Sequence, residues 1–307
     1  MEKRRLGTSD LSVSKMGLGC MSLGTDTATA EKIIKTALDE GVNYFDTADL
    51  YDYGVNEEIV GKSLASVRDQ VIIATKVGNR WTEKKDGWRW DPSNHYIKEA
   101  VKKSLERLGT DYIDLYQLHG GTIGDPIDDT IEAFEELKAE GLIRHYGISS
   151  IRPNVIREYA SKSSIVSVMM QYSLLDRRPE EIMPLFEESG ISIVTRGSLA
   201  KGLLSDKMLG MKDGQWEDKD YLDYSSNDVK ELIESIQAKL LHDNRSLNEL
   251  AFQFNLANRA VAAVVAGAST VEQVRDNARA VNSPALSKEE LAFLQLITKE
   301  SRYTDHR

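Results

Sequence analysis

The sequence predicts an α/β chain closed into a (β/α)8 TIM barrel, and three observations predict it. Short apolar runs alternate with longer segments of helical period along almost the whole chain. The runs are apolar on consecutive positions, as in parallel strands covered on both faces, and do not alternate as a sheet with one wet face would. Eight such runs fall in 307 residues, a repeat of about 38, against the ~31 of a 250-residue barrel, which leaves room for loop insertions.

The elements follow in order. RRLGTSDLSVSK, within the first fifteen residues, reads as a short N-terminal β-hairpin turning at Gly7-Thr8-Ser9-Asp10. MGLGC (16–20) is the first barrel strand. In ATAEKIIKTALDEG (28–41), Ile33, Ile34, Ala37 and Leu38 recur at helical spacing and Gly41 stops the helix, so VNYFDTA (42–48) is the second strand. NEEIVGKSLAS precedes the third, VIIATK (71–76), and SNHYIKEAVKKSLERLG the fourth, IDLYQLH (113–119). DDTIEAFEELKAEG leads into HYGISS (145–150), RPNVIREYASK into IVSVMMQ (165–171), RPEEIMPLFEESG into ISIVTRG (191–197), and SLNELAFQFNLAN into VAAVVAG (261–267).

Two loop insertions stand out, 78–94 after strand three and 205–228 after strand seven. Both follow strand C-termini, where barrel enzymes build active sites. With no linker or low-complexity stretch, residues 1–307 are expected to form one domain. A doubly wound dinucleotide-binding sheet is the competitor, but GLGCMSLG places its third glycine two positions too far along for that fingerprint.

Composition narrows the function. Hydrophobic residues at 41% and charged residues at 29% exclude a disordered, collagenous or disulfide-stapled chain. With 39 Lys and Arg against 49 Asp and Glu, a net charge of −10 argues against nucleic acid as a partner. The N-terminal stretch lacks a signal-peptide apolar core and no window approaches about eighteen apolar residues, so no membrane partner is expected. The single cysteine, Cys20, fits a reducing compartment, and a cytoplasmic protein is expected, a monomer being favoured. His95, His145, His242 and His306 show no metal-ligand spacing, so no metal is expected.

If the chemistry sits at strand C-termini, the polar residues there matter most. Asp46 ends strand two, Tyr51 lies five residues on, Lys76 ends strand three and His119 ends strand four. A tyrosine near its ordinary pKa of ~10 serves poorly as an acid and base around neutrality unless a nearby ammonium stabilises its phenolate. Lys76 can supply that charge, Asp46 can hold Lys76, and His119 can orient a carbonyl oxygen. Each residue alone has an ordinary structural explanation, as a cap, a packing residue or a solvated end, but the set on three consecutive strands is hard to supply by chance.

FDTADLYDYG (45–54), ATKVG (74–78), LGTDYIDLYQLH (108–119), AEGLIRHYGISS (139–150) and QYSLLDR (171–177) together resemble the successive signatures of the aldo-keto reductases. The likeness is to the branch that includes bacterial general-stress reductases and potassium-channel β subunits, and it runs from about Arg4 to Ala280. It implies Tyr51 as general acid for carbonyl reduction, Lys76 and Asp46 as its pKa-lowering partners, and His119 as the residue orienting substrate.

The resemblance also implies a nicotinamide cofactor, NADP(H). Cys20, Met21 and Asp46 would lie against its nicotinamide ribose end, and Ser149, Ser150 and Gln171 would bind the carboxamide, Ser150 standing where the family usually has asparagine. RGSLAKGLL (196–204) matches a loop that usually opens with an aromatic residue followed by Ser-Pro. Here Arg196 replaces the aromatic and Gly197-Ser198 the pair, with Leu199 and Lys201 as further contacts and Lys207 reaching the pyrophosphate. GASTVEQVRDNARA (267–280) matches the adenosine-phosphate end: Gly267 for close approach, Ser269 for the 2′-phosphate, and Gln273 with Asn277 bracketing adenine. Met21, Tyr51, His119 and Trp81, one of three tryptophans with Trp88 and Trp90 in the first insertion, are expected to meet a small-molecule carbonyl substrate.

Two other classes compete. A two-carboxylate glycosidase needs a second acid at a strand end, and strands four to eight end in His119, Ser149, Gln171, Gly197 and Gly267. A non-catalytic nicotinamide-binding module reporting redox state to a partner is the alternative.

Overall fold

The computed structural model describes residues 1–217, 219–242 and 245–307. Position 218, inside the second predicted insertion, lies outside the described residues. The chain opens with the antiparallel pair β1 (Lys3–Arg5) and β2 (Ser12–Ser14), joined through the predicted turn. Next come β3 (Met16–Gly19), β4 (Tyr44–Asp46) and β5 (Ile72–Val77), then a second antiparallel ribbon, β6 (Asn79–Trp81) with β7 (Trp88–Trp90), built from the first insertion. The remaining strands are β8 (Ile113–Leu118), β9 (Ile143–Ser149), β10 (Ser167–Gln171), β11 (Ser192–Arg196) and β12 (Val261–Gly267).

Strands β3, β4, β5, β8, β9, β10, β11 and β12 form a closed, wholly parallel barrel in that order, β12 returning to β3 with Met16 opposite Val264. The predicted (β/α)8 architecture is the one observed. Its helices are α1 (Thr27–Asp39), α2 (Val55–Leu64), α3 (Asn94–Leu108), α4 (Ile127–Ala139), α5 (Pro153–Lys162), α6 (Met183–Ser189), α7 (Ser226–Leu240), α8 (Leu247–Ala257), α9 (Val271–Asn282) and α10 (Lys288–Ile297). Helices α7 and α10 were not among the elements read from the sequence, yet each opens with a reciprocal capping box, Ser225 with Asp228 and Ser287 with Glu290.

The interior is filled rather than hollow. Tyr44 crosses the barrel beside Gly17, where a Cβ would fall 2.5 Å from the Tyr44 ring. Ile72, Leu115, Met169 and Val194 complete this inner cluster, and Leu6, Leu11 and Val13 of the hairpin join it from the N-terminal end of the barrel. Outside, α2 and α3 touch backbone to backbone: a Cβ on Gly61 would lie 2.2 Å from the Leu108 carbonyl oxygen. Among the described residues no helix is long and apolar enough to cross a membrane.

Candidate active site

Parallel pairing brings three polar strand ends together. Lys76 is the Cα partner of Gln117 across β5 and β8, while Asp46 stands at the end of β4 beside β5. All three are buried. Lys76 Nζ donates to Asp46 Oδ1 at 2.6 Å, to the Thr47 carbonyl at 2.7 Å and to the Tyr51 hydroxyl oxygen at 3.3 Å, so each ammonium proton has an acceptor. Gln117 Nε2 donates to the other Asp46 oxygen at 3.2 Å. Burial pulls the Lys76 ammonium downward, but Asp46 and Tyr51 outweigh it and its pKa is raised. Gln117 is a participant the sequence reading missed; the signal was its apolar strand, where a lone amide next to leucine has to find a buried partner.

The turn carrying Tyr51 is braced from outside. Asp52 and Tyr53 take left-handed backbone angles, φ 48° and 53°, conformations that cost an ordinary side chain and persist when surroundings enforce them. Gly54 follows at φ 92°, and a Cβ there would meet the Arg107 side chain at 2.7 Å. Arg107 Nη2 lies 2.6 Å from Glu57, which accepts from Thr75 Oγ1 at 2.6 Å, one residue from Lys76. Asp49 is buried under Tyr96, whose hydroxyl donates to it at 3.4 Å; burial and the neighbouring Glu57 push its carboxyl well above the usual range.

His119 stands edge-on to Tyr51, ring centroids 5.9 Å apart at 83°. Burial, with the Lys76 and Arg196 cations, holds its pKa down to about 3. The imidazole is therefore neutral around pH 7, able to share a hydrogen bond and not to carry charge.

These residues open into a cavity of about 1300 Å³ whose walls include Gly19, Ser149, Gln171, Arg196 and Gly267, all at C-terminal strand ends. Met21, Ser150, Gly197 and Lys201 also line it. Cys20 does not: its side chain is fully buried, with Sγ 3.6 Å from the Leu18 carbonyl, and burial pushes the thiol far up, so it is inert. Ser198 turns inward to Asn255 at 3.3 Å, and Leu199 packs on the core. Lys207 is exposed and lies outside the cavity wall.

At the N-terminus of α9, Gln273 folds back: its Oε1 accepts from the Ser269 backbone N–H at 2.8 Å and from Ser269 Oγ at 3.2 Å. Asn277 is buried and donates to the Gly267 carbonyl at 3.4 Å. The two side chains therefore do not face one another across an open slot. Thr270 caps α9 there.

In the first insertion, Trp81 faces away from the cavity. It is taken by other partners, meeting the Tyr53 ring edge-on at 6.3 Å and the Arg107 guanidinium at 5.2 Å. Trp88 and Trp90 line the cavity instead, Trp90 held by Asp125 at 3.0 Å. Met21, Trp88, Ile151 and Leu222 make the mouth apolar, four of the six large hydrophobic side chains left exposed among the described residues. Residues 302–306 also form part of the wall; nothing in their sequence marked them.

The cavity has features that suit a nicotinamide dinucleotide: it reaches the ends of several barrel strands, exposes the backbone of Gly267, and carries polar side chains at Ser149, Gln171 and Arg196.

Comparison with known proteins agrees with this geometry. The chain is 56% identical over 307 residues, all of both chains, to the uncharacterized oxidoreductase YqkF of Bacillus subtilis. It is 33% identical over 306 residues, 92% of this chain and 94% of the relative, to the NADH-specific methylglyoxal reductase of Escherichia coli. Its structure resembles the holo form of the aldo-keto reductase AKR11C1 from Bacillus halodurans with a TM-score of 0.94 at 57% identity, covering 100% of this chain and 99% of that one. The family model Aldo/keto reductase family matches residues 15–298, and the chain belongs to that family.

Proposed function

We propose that this protein reduces aldehydes or ketones to alcohols with NADPH, Tyr51 giving the proton to the carbonyl oxygen. The observation carrying this reading is the saturated Lys76 ammonium: it donates to the Tyr51 oxygen, so the phenol's own proton is left for a substrate at the cavity side. When bound, the nicotinamide supplies the hydride. Asp46 holds Lys76, Gln117 holds Asp46, and the same cation that orients the phenol stabilises the phenolate left after proton transfer. Neutral His119 orients the substrate oxygen without competing as an acid. Trp88, Trp90 and Leu222 receive the apolar remainder of the carbonyl compound.

Met21, Ser149, Ser150, Gln171, Arg196, Gly197, Lys201 and Gly267 are the proposed cofactor contacts. Ser269 and the N-terminus of α9 are proposed for the 2′-phosphate, Gln273 swinging away from Ser269 to free its N–H. A second reading has its own support. Glu272 shares the first turn of α9, carries a carboxylate held low by its backbone and Thr270, and would accept the bare 2′-hydroxyl of NADH. The E. coli relative is named for NADH. We place the protein in the cytoplasm as a monomer of one domain, where Cys20 stays reduced.

Steady-state turnover of 4-nitrobenzaldehyde tests the reaction. No consumption of either NADPH or NADH would sink it.

A further inference from the structure

Gln171 ends β10 directly opposite Arg196 at the end of β11. Its amide nitrogen donates to Asp176 Oδ2 at 2.9 Å and to the Tyr221 hydroxyl oxygen at 3.0 Å, while its amide oxygen accepts from Arg196 Nη1 at 3.1 Å. Asp176 is fully buried. Arg178 grips both of its oxygens at 2.7 Å, and the Tyr303 ring lies against that guanidinium at 5.0 Å.

Two of these partners, Asp176 and Arg196, are one-way. A carboxylate only accepts and a guanidinium only donates. Turned over, the Gln171 amide would set its oxygen against Asp176 and its NH2 against Arg196, so two hydrogen bonds would become two repulsions. Shape cannot make this choice, because the two ends of an amide are nearly the same size; charge can. Both amide N–H groups are spent inside the protein, and what remains for the cavity is the second lone pair of Oε1.

We infer that Asp176 is a positioning residue for cofactor recognition: by fixing the Gln171 amide, it makes the site present an acceptor that reads the NH2 of a nicotinamide carboxamide. The inference rests on the proposed nicotinamide site and deepens it. Asp176 acts through Gln171 and need not touch the cofactor. Its consequence is selectivity for a carboxamide over a ring substituent that has a carbonyl but no N–H.

The test uses fluorescence titration of the full chain with NADP+ and with its 3-acetylpyridine analogue, in which a methyl ketone replaces the amide. The wild type should bind NADP+ about fivefold more tightly, the value of one hydrogen bond. In Asp176→Asn the charge that holds the Gln171 NH2 is gone and Arg196 alone still orients the amide, so the preference should shrink to less than about twofold while the circular dichroism spectrum stays that of the wild type. Should that variant fail to fold with Arg178 left unpaired, Asp176→Asn/Arg178→Gln removes both charges together and should show the same collapse of the ratio. A folded variant that keeps the full wild-type ratio overturns the inference, as does a wild type that binds both nucleotides equally. A wild type that binds neither overturns the cofactor reading as well.

Discussion

Lys76 donates to the Tyr51 hydroxyl oxygen across 3.3 Å, and the bond has a direction: an ammonium cannot accept, so the phenol's proton must point elsewhere. That single asymmetry separates a tyrosine poised to give its proton outward from one consumed by packing.

Tyr51→Phe keeps the ring and removes the proton. Carbonyl reduction should fall by about 10²–10⁴-fold while the Kd for the reduced cofactor stays the same, read by single-turnover kinetics and fluorescence titration. Wild-type turnover in this variant would end the assignment of the acid.

Lys76→Met leaves an apolar stem of similar length and removes the cation. Reduction and alcohol oxidation should both drop by about 10²–10⁴-fold. In the wild type, kcat/KM for reduction should show no break between pH 5 and 8 from either neighbour, since Lys76 stays charged and His119, at about 3, stays neutral.

His119 should also mark stability in acid. Its pKa falls from an ordinary 6.5 to about 3 on folding, so below 6.5 the unfolded chain takes up a proton that the native state refuses. Stability is lost as pH falls through that window. By pH 5 the loss amounts to about 2 kcal/mol. Urea unfolding of His119→Asn should show a loss between pH 7 and pH 5 smaller by about that amount.

Glu57→Gln should destabilise the protein by about 3 kcal/mol, since it strands the Arg107 guanidinium beside a fully buried partner position. Because Arg107 also rests against Gly54, the reductase activity of the folded fraction should fall too. Denaturant midpoints and kcat on the same samples separate the two effects.

The choice of dinucleotide is read by titrating the apoprotein with NADPH and NADH. Charge-assisted bonds from Ser269 and the α9 terminus to a phosphate should favour NADPH by about tenfold or more. Tighter NADH binding would transfer the role to Glu272.

The barrel, and the meeting of Asp46, Tyr51, Lys76 and His119 at one end of it, were legible because each rests on local pattern. Consecutive apolar positions such as Ile72–Ala74 mark a buried parallel strand, and Asp46, Lys76 and His119 fall where those runs end. What escaped depends on which way a side chain turns. Trp81 and Trp90 lie on one short ribbon, yet only Trp90 reaches the cavity, because Trp81 packs on Tyr53 and Arg107 while Trp90 bonds Asp125, partners that lie outside the ribbon and that its own sequence does not name. Gln273 and Asn277 share the predicted helix, but one is drawn to the Ser269 N–H and the other to the Gly267 carbonyl. The stretch 302–306 reaches the mouth through distant packing, of which Tyr303 against Arg178 is the visible part.

The seam between β3 and β12 sets terms for how the chain is made. Met16 meets Val264 there, so the ring cannot shut until nearly all of the protein has left the ribosome. Until then β3 and β11 each show an unpaired edge, the kind of surface that recruits other chains. Products of early termination or proteolysis that lack β12 should accumulate as aggregates rather than as smaller folded proteins, and slow release of full-length chains would lengthen the time for which chaperones must shield those edges.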